Sequence, residues 1–390
     1  MKIVHIANFY GPNSGGIKTT LHQLGRGYLR LGHDFTYIVP GSHFFTEKTM
    51  YGTKITLPGL LLPGSGGYRI IKSNKQVRDV LESIAPDRLE ISDRFTLMSL
   101  GAWARKRSIP TVVFSHETLS GLAKRFLPLP ASIRNTIVDW HNRKLSAAFD
   151  YVVTTTDFAA REFHRIEATN LVKIPLGVDL HAFHPRFRDE SLRQELLKGS
   201  SLLLVHCGRF SPEKEPQRSI ETLIELRRRG VDARLVMIGA GPMWKKLRAL
   251  AAGHPVDILG YVADRQRVAA ILAASDVSLA PGPLETFCLA ALESLASGTP
   301  VVASESSAVG EFLHVNEKNP AGAVARDDAL SFAYAVQYVV DSKLKRSAAR
   351  KAAEELPWDD SINLMRNLHG LNSLGENAPH AVVKRKLSAA

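Results

Sequence analysis

Residues 277–303 read VSLAPGPLETFCLAALESLASGTPVVA, and this stretch decides the fold. The apolar run 277–280 predicts a buried strand, and the Pro-Gly-Pro that follows it predicts a loop. Residues 286–296 place apolar side chains at helical spacing, and 300–303 form a second short β-rich run. A strand, a loop, a helix and a strand in this order predict one unit of a parallel α/β sheet.

The same alternation of strand and helix signals extends in both directions from this stretch. The other predicted strands are 2–9, 35–39, 111–114, 151–154, 202–206, 234–238 and 257–259. The other predicted helices are 17–31, 74–84, 96–106, 219–229, a helix from 243, and 265–274. Strands that alternate with helices in this way are typical of doubly wound α/β domains.

Two domains are expected, because a single core rarely grows past about 300 residues. The strand and helix pattern restarts after residue 175, which divides the chain into a domain over 1–175 and another over 176–355. Ligands of such sheets bind beyond the carboxyl ends of the strands. We therefore expect the functional residues in the loops that lead from strands to helices, around a cleft between the domains. Residues 373–390 are small, polar and basic and are expected to be a disordered tail.

The composition excludes several classes of protein. The 390 residues are 45% hydrophobic and 23% charged, which excludes wholesale disorder. The chain has no run of 18 apolar residues, so a transmembrane helix is not expected, and its first residues read as a strand and not as a signal peptide. The two cysteines, Cys207 and Cys288, are too few for a disulfide framework, so the expected compartment is the cytoplasm.

Basic residues are concentrated in the first half of the chain. Residues 1–175 hold 23 Lys and Arg against 13 Asp and Glu, a net charge of +10. Residues 176–390 hold 27 against 25, a net charge of +2. This asymmetry favours an anionic partner for the first half, such as nucleic acid, a membrane surface or a phosphorylated substrate. Solubility is the alternative explanation.

Two loops have residues that suit a phosphate group. Gly15 and Gly16 lie between the first strand and the first helix, where glycine lets a ligand approach a helix N-terminus. A simple tight turn would use the same residues. Arg209 and Lys214 share the loop after the strand 202–206, and a guanidinium with an ammonium suits a diphosphate. The alternative is a solvated loop.

Two further loops carry acids and a histidine. If a helix begins near Thr286, Glu285 lies at its N-terminal edge and Glu293 lies about two turns further along, among apolar residues. A carboxylate in such surroundings needs a partner, and a sugar hydroxyl would serve. The start of this helix would offer three backbone N–H groups to an anion, those of Phe287, Cys288 and Leu289. His116 follows a buried strand and is placed to reach the cleft. The alternatives are that Glu285 and Glu293 are unrelated surface acids and that His116 is a structural histidine.

Together these loops resemble the GT-B glycosyltransferases, specifically the retaining glycosyltransferase family 4, over residues 1–370. Glu285-x7-Glu293 and the SGTPVVA that follows resemble the acidic signature of the family and its next strand. Gly208-Arg209 with Lys214 resembles the loop that holds the donor phosphates. Gly15-Gly16 resembles the N-terminal glycine loop, and His116 the active-site histidine. Residues 175–179, PLGVD, resemble the interdomain PNGVD of the family, with Leu in place of Asn.

The resemblance implies a fold of two Rossmann-like domains that face a deep cleft. The first would lie on the acceptor side and the second on the side of the nucleotide-sugar donor. In this fold the last helix, here within residues 356–372, commonly crosses back to the first domain. The residues expected to pack there are Ile362, Leu364, Met365 and Leu368.

The resemblance also implies a role for each candidate residue. Arg209 and Lys214 would hold the diphosphate of the donor, and the backbone N–H groups of 287–289 would complete that site. Glu285 would bind hydroxyl groups of the donor sugar, and Glu293 the ribose. Backbone groups of 259–262, which include Gly260 and Tyr261, would bind the base. Gly16 would let the donor approach the first domain. His116 would lie near the sugar and the acceptor.

The implied reaction is a hexosyl transfer with retention of the anomeric configuration. No residue is a convincing covalent nucleophile. The resemblance implies that the departing diphosphate helps to deprotonate the acceptor. The protein would then act by stabilising the negative charge on that diphosphate. The sequence has no Asp-x-Asp, so neither a metal nor a cofactor is expected besides the nucleotide-sugar co-substrate. Residues 88–94 and 115–118 resemble a bacterial branch with GDP-mannose-dependent α-mannosyltransferases that act on lipids. GDP-mannose is therefore the first expectation for the donor, and a UDP-sugar the second.

The acceptor is expected to be a lipid or a glycan. Residues 119–144 mix apolar side chains with a set of basic ones, Lys124, Arg125, Arg134, Arg143 and Lys144. This mixture suits a peripheral enzyme on an anionic membrane, here the inner face of the cell membrane. An ordinary core helix with a solvated face would show it too, and a soluble acceptor stays open.

Three other functions were weighed against this one. Nucleic-acid binding would fit the high pI, but the sequence shows no such signature, and none is expected. A dinucleotide-dependent oxidoreductase needs Gly-x-Gly-x-x-Gly after the first strand, which is absent. A GT-B UDP-sugar epimerase is opposed only by the resemblance of Glu285-x7-Glu293.

Overall fold

The computed structural model describes residues 1–11, 15–62, 67–342, 344 and 346–370. The expected disordered tail lies outside these residues, as do the last two residues of the expected crossing helix. No helix in the described ranges is both long and apolar enough to cross a lipid bilayer.

The first half of the chain folds around a mainly parallel sheet of nine strands. The strands are β1 (Lys2–Ala7), β2 (Asp34–Gly41), β3 (Phe45–Thr49), β4 (Gly52–Leu61), β5 (Arg69–Ile71), β6 (Arg88–Ser92), β7 (Thr111–Ser115), β8 (Tyr151–Thr154) and β9 (Leu171–Lys173). Their order is β3-β4-β2-β1-β6-β7-β8-β9, with β5 beside β4. The pairs β3–β4 and β4–β5 are antiparallel, and the sequence patterns did not predict these three strands as such.

Six helices accompany this sheet. They are α1 (Gly16–Arg30), α2 (Asn74–Ile84), α3 (Ser99–Arg105), α4 (Leu119–Phe126), α5 (Ala131–Ala148) and α6 (Asp157–His164). Polar side chains fix two of the starts: the Ser73 hydroxyl accepts from the Gln76 N–H, and the Thr156 hydroxyl accepts from the Ala159 N–H.

The second half is a more regular α/β domain around six parallel strands. The strands are β10 (Leu202–Cys207), β11 (Ala233–Ile238), β12 (Val256–Gly260), β13 (Val277–Ala280), β14 (Val301–Ser304) and β15 (Gly322–Ala325), in the order β12-β11-β10-β13-β14-β15. The helices are α7 (Glu190–Leu197), α8 (Gln217–Arg228), α9 (Trp244–Ala251), α10 (Arg265–Ala274), α11 (Leu289–Ala296), α12 (Ala329–Asp341) and α13 (Arg346–Glu354). β13 and β14 are buried along their whole length, and β10 and β11 are buried at all but one residue each, which explains their continuous apolar runs.

The strand order places the functional loops. In the first sheet β1 lies between β2 and β6, and in the second β10 lies between β11 and β13. At β1 and at β10 the chain connections therefore run to opposite sides of the sheet, and a crevice opens there beyond the carboxyl ends of the strands. The loops after β1 and β10 are the ones that carry Gly15, Gly16, Arg209 and Lys214.

The last helix, α14 (Trp358–Leu368), packs against α1 of the first domain. Gly27 on α1 allows the close approach, since a Cβ atom there would lie 2.6 Å from Ile362. Ile362 and Met365 are buried in the core that α14 shares with α1, and Leu364 and Leu368 pack against it. Ile362 thus lies against α1, whereas the packing of Leu364, Met365 and Leu368 on the first domain stays a prediction, because the core they join also contains residues of the second domain.

Candidate active site

A cavity of about 1050 Å³ lies between the two sheets and is lined by loops of both domains. Eleven of the predicted site residues line it: Gly15, Gly16, His116, Arg209, Lys214, Tyr261, Glu285, Phe287, Cys288, Leu289 and Glu293. Gly260 does not. It ends β12, and its carbonyl already accepts the N–H of Gly239, so its neighbour Tyr261 is the residue that reaches the cavity.

Lys214 and Glu285 form an ion pair across two loops of the second domain. Lys214 Nζ lies 2.7 Å from Glu285 Oε2, and the carboxylate side chain is largely buried. Burial alone would lower the pKa of Lys214, but the adjacent Glu285 carboxylate outweighs it and raises that pKa. Lys214 therefore presents a permanent positive charge at the wall of the cavity.

Arg209 is held from two sides. One of its terminal nitrogens lies 2.5 Å from Glu213 Oε1, and its guanidinium lies over the Tyr68 ring at 4.8 Å from the ring centre. Tyr68 belongs to the first domain, so this cation–π contact joins the two walls of the cleft. Tyr68 was not predicted as a site residue.

The helix after Glu285 begins later than the sequence predicted. The expected start was Thr286, but α11 begins at Leu289, because Cys288 adopts a left-handed backbone with φ of 66°. Phe287 and Cys288 therefore precede the helix, and the side chain of Phe287 packs against Phe312 in the core. The first N–H groups without an intrahelical acceptor are those of Leu289 and Ala290, and both residues line the cavity.

Thr286 ties this loop to the first domain. Its hydroxyl donates to the carbonyl of His116 at 2.5 Å, and its own carbonyl accepts the hydroxyls of Thr155 and Thr156 at 3.1 and 2.8 Å. These bonds hold the loop outside the helix where the apolar spacing predicted the first helical turn. They also bring His116 to the same cavity as Glu285.

Glu293 lies on α11 with one weak partner. Its carboxylate is 3.3 Å from an Arg265 nitrogen. Burial raises the pKa of Glu293 to about 7, and the Arg265 guanidinium offsets only part of that rise. A buried carboxylate that faces a cavity with so little compensation is suited to accept hydrogen bonds from ligand hydroxyls.

The glycine pair opens the first domain toward the cavity. A Cβ atom added at Gly15 or at Gly16 would meet no protein atom of the described chain within 4 Å. Packing therefore does not require glycine at either position. The space they leave is part of the cleft, at the N-terminus of α1.

Both halves of the chain match known glycosyltransferase families in sequence. Residues 14–182 match the family described as Glycosyltransferase Family 4, and residues 201–342 match the one described as Glycosyl transferases group 1. A GDP-mannose-dependent alpha-(1-6)-phosphatidylinositol dimannoside mannosyltransferase of Mycobacterium tuberculosis is 47% identical over 363 residues, which cover 92% of this chain and 93% of the relative. The chain is a family 4 glycosyltransferase.

More distant relatives and solved structures agree with this assignment. A GDP-mannose-dependent alpha-mannosyltransferase of Corynebacterium glutamicum is 26% identical over 77% of this chain and 72% of its own. Sucrose-phosphate synthase from Thermosynechococcus elongatus has a TM-score of 0.75 at 17% identity, with 95% of this chain and 99% of that chain covered. The Anabaena protein HepE in complex with UDP and glucose has a TM-score of 0.73 at 17% identity, with 96% and 100% covered. The glycosyltransferase therefore has the GT-B fold of two Rossmann-like domains.

Behind His116 the glycosyltransferase has a buried guanidinium that sequence reasoning gave no role. Arg94 pairs with Glu162 at 2.8 Å and donates to Ser115 Oγ at 3.0 Å and to the Glu117 carbonyl at 2.7 Å. It thereby fixes the loop that carries His116. Its place just after the buried strand β6 is the signal that could have identified it.

The Glu117 carboxyl of the glycosyltransferase also lines the cavity, beside His116. Burial raises the pKa of this carboxyl, and the Arg94 guanidinium opposes only part of the rise. Glu117 thus places an acid of the first domain in the cleft, where it can meet a hydroxyl group.

Proposed function

We propose that this glycosyltransferase moves mannose from GDP-mannose onto a phosphatidylinositol-based glycolipid. The observation that carries the proposal is the 47% identity with the M. tuberculosis relative, whose name states that donor and that class of acceptor. The identity extends over nearly the whole of both chains, so it includes both walls of the cleft.

The charges of the second domain support binding of a nucleotide diphosphate. Arg209 and Lys214 would meet the diphosphate, together with the N–H groups of Leu289 and Ala290 at the start of α11. Glu285 would then turn from Lys214 to hydroxyl groups of the sugar. Glu293 would accept hydrogen bonds from the ribose, and the segment at Tyr261 would contact the base.

The same residues suggest how the reaction proceeds. As the bond between mannose and the diphosphate breaks, negative charge grows on the leaving group, and the two cations stabilise it. We propose retention of configuration without a metal, with the leaving diphosphate taking the proton of the acceptor hydroxyl on the same face of the sugar. Arg209 and Lys214 then supply the charge that a metal ion supplies in other transferases.

The surface of the first domain supports action at a membrane. Ile133, Ile137 and Trp140 are spaced along one face of α5 and are 43–56% exposed. Lys144 lies over the Trp140 ring at 3.7 Å, and Arg143 is exposed beside it. An apolar stripe flanked by cations suits an anionic lipid surface, where this enzyme would meet its acceptor. The side chain of Arg125, which the sequence analysis placed in this set, lies outside the described residues.

A panel of labelled sugar nucleotides tests the proposal. The full chain is incubated with GDP-mannose, UDP-glucose or UDP-N-acetylglucosamine, and with phosphatidylinositol dimannoside in mixed micelles. We expect label to enter lipid from GDP-mannose alone, and the product to carry a new α-linked mannose by NMR. Transfer from a UDP-sugar would overturn the donor assignment. A free epimerised sugar formed without any acceptor would overturn the assignment as a transferase.

A further inference from the structure

A chain of buried hydrogen bonds leads from His116 into the centre of the first sheet. His116 Nε2 lies 2.8 Å from Ser92 Oγ, and Ser92 Oγ lies 2.7 Å from His5 Nε2. His5 Nδ1 lies 2.6 Å from Glu90 Oε2. His5 and Glu90 are 0% exposed and Ser92 is 4% exposed, so water does not compete for these bonds.

Glu90 is the acceptor at the inner end of this chain. Its other oxygen, Oε1, lies 2.5 Å from the Tyr28 hydroxyl and 2.7 Å from His369 Nε2, just beyond α14. Burial alone would raise the pKa of Glu90, but the hydrogen bonds from His369 and His5 outweigh it and lower that pKa to about 2. Glu90 is therefore a carboxylate, and each of its three partners must present a hydrogen to it.

This requirement sets the direction of every bond toward the cleft. His5 Nδ1 carries a hydrogen for Glu90. The fully buried His5 ring shares the single carboxylate of Glu90 with Tyr28 and His369, so we assign to it only the Nδ1 hydrogen that this carboxylate requires, which leaves its Nε2 as an acceptor. Ser92 then donates its one hydrogen to His5 and accepts from His116. Burial lowers the pKa of His116 to about 3, so its ring is neutral and has one hydrogen to give.

We propose that Glu90, His5 and Ser92 are positioning residues that hold His116 in a single neutral tautomer, with its hydrogen on Nε2 and its Nδ1 free to accept a hydrogen bond from a hydroxyl group in the cleft. His116 lines the cavity, and within the described chain Nδ1 has no hydrogen-bond partner. The hydroxyl belongs to the hexose of the donor or to the acceptor. The proposal rests on the proposed sugar transfer only in naming that hydroxyl, because the tautomer exists without substrate.

The sheet explains how such distant residues meet. His5 and Glu90 are register partners in the parallel pair β1–β6, and Ser92 lies two residues further along the same strand. His369 reaches Glu90 because α14 crosses back to the first domain. The crossing segment therefore contributes directly to the group that orients His116.

Nitrogen-15 NMR of the histidine rings tests the tautomer without any turnover. The full chain is labelled at histidine, and the His116 signals are assigned by their loss in His116→Gln. At pH 7.5 we expect Nε2 of His116 to be protonated and Nδ1 to show the shift of a bare lone pair. Ser92→Ala should return the ring to a mixture of tautomers. A protonated Nδ1 in the wild type, or an unchanged spectrum in Ser92→Ala, would overturn the proposal.

Kinetics separate this role from a merely structural one. Ser92→Ala should lower kcat about tenfold, with the KM for the donor nearly unchanged, and Ser92→Thr should restore most of the loss because it keeps the hydroxyl. Ser275→Ala is a matched control, since Ser275 is also buried and its hydroxyl donates only to the Ile271 carbonyl of α10, the helix that it caps. Equal losses in Ser92→Ala and Ser275→Ala, or no rescue by threonine, would contradict the role. If the sugar donor of the proposed function is wrong, the NMR result still stands.

Discussion

Lys214 Nζ lies 2.7 Å from Glu285 Oε2, so the ammonium assigned to the donor diphosphate is already paired inside the cleft. The pair keeps a cation in place without leaving it unpaired in a partly buried wall. In the proposed function an incoming diphosphate would exchange one anionic partner of Lys214 for another, and the same step would free Glu285 for the hydroxyl groups of the sugar. Binding of the donor and release of the Glu285 carboxylate would then occur in one step.

Lys214→Ala should therefore weaken donor binding and slow transfer together. Loss of one charge-assisted contact costs roughly 1.5–3 kcal/mol, which lowers kcat/KM for GDP-mannose by about 10- to 150-fold. Lys198→Ala is the control, because Lys198 forms an exposed ion pair with Asp257 and does not line the cavity. Steady-state rates and equilibrium dialysis with GDP-mannose measure both effects. Wild-type turnover in a folded Lys214→Ala enzyme would remove Lys214 from the phosphate site.

Gly16→Ala should impair the enzyme without destabilising it. A Cβ atom at this position meets no described protein atom within 4 Å, so the fold tolerates it, whereas it would fill space that the donor needs. We expect an unchanged melting temperature and at least a tenfold lower kcat/KM. Gly32→Ala is the converse control: Gly32 has φ of 79° and lies outside the cavity, so this variant should melt earlier and keep its activity. Full activity in Gly16→Ala would mean that the donor does not approach α1.

Glu293 should make donor binding dependent on pH. Burial raises its pKa to about 7, so in the free enzyme at pH 6 the carboxyl is mostly protonated. Ribose hydroxyls donate to the carboxylate form, so affinity for GDP-mannose should rise with pH and level off above about 7, with proton release on binding below that value. The diphosphate diester of the donor does not titrate in this range. Calorimetry from pH 5.5 to 8.5 in two buffers measures both effects.

Glu293→Gln should remove this dependence and also change stability. The folded-state pKa lies above that of an unfolded chain, so the wild type loses stability as pH rises from about 4.5 to about 7. Relative to the wild type, Glu293→Gln should be equally stable at pH 4.5 and more stable at pH 8, on the order of 1–3 kcal/mol. An identical affinity profile in wild type and variant would place the ribose elsewhere.

The sequence predicted those parts of the molecule that local pattern determines. Buried parallel strands are continuous apolar runs, and the loops at their carboxyl ends meet in one place, so residues as distant as Gly16, His116 and Glu285 were assigned to one cleft. The three strands between residues 45 and 71 are partly exposed and antiparallel to one another, and they carry no such run. Their pairing was therefore not predicted.

Contacts between distant residues decided the remainder. The spacing of apolar residues favoured a helix from Thr286, but that residue accepts bonds from Thr155 and Thr156 and donates to His116, which keeps it outside the helix, and α11 begins at Leu289. The hydrogen-bond chain behind His116 joins residues that are adjacent only because β1 pairs with β6. A single sequence predicts that both strands exist, and not that they are neighbours.

The exposed stripe of Ile133, Ile137 and Trp140 on α5 leads to a prediction about membranes. These side chains face solvent beside Arg143 and Lys144, in the half of the chain that carries a net charge of +10. The enzyme should therefore pellet with vesicles that contain anionic lipid and much less with neutral ones, since each well-placed basic residue contributes about 1 kcal/mol. Salt should release it, because the Debye length shrinks to about 3 Å at 1 M.

Replacing the apolar stripe tests whether this surface makes the contact. Ile133→Ser, Ile137→Ser and Trp140→Ala together should abolish vesicle binding and most activity on a membrane-embedded acceptor, but leave GDP-mannose affinity unchanged, because none of the three residues lines the cavity proposed for the donor. A matched control replaces Leu330, Tyr334 and Tyr338 by Ser, since these are comparably exposed on one helix of the second domain and Arg229 lies over the Tyr334 ring, but this half of the chain has a net charge of only +2. Equal loss in both triple variants would point to general surface damage. Full vesicle binding in the α5 variant would show that the lipid contact lies elsewhere on the protein.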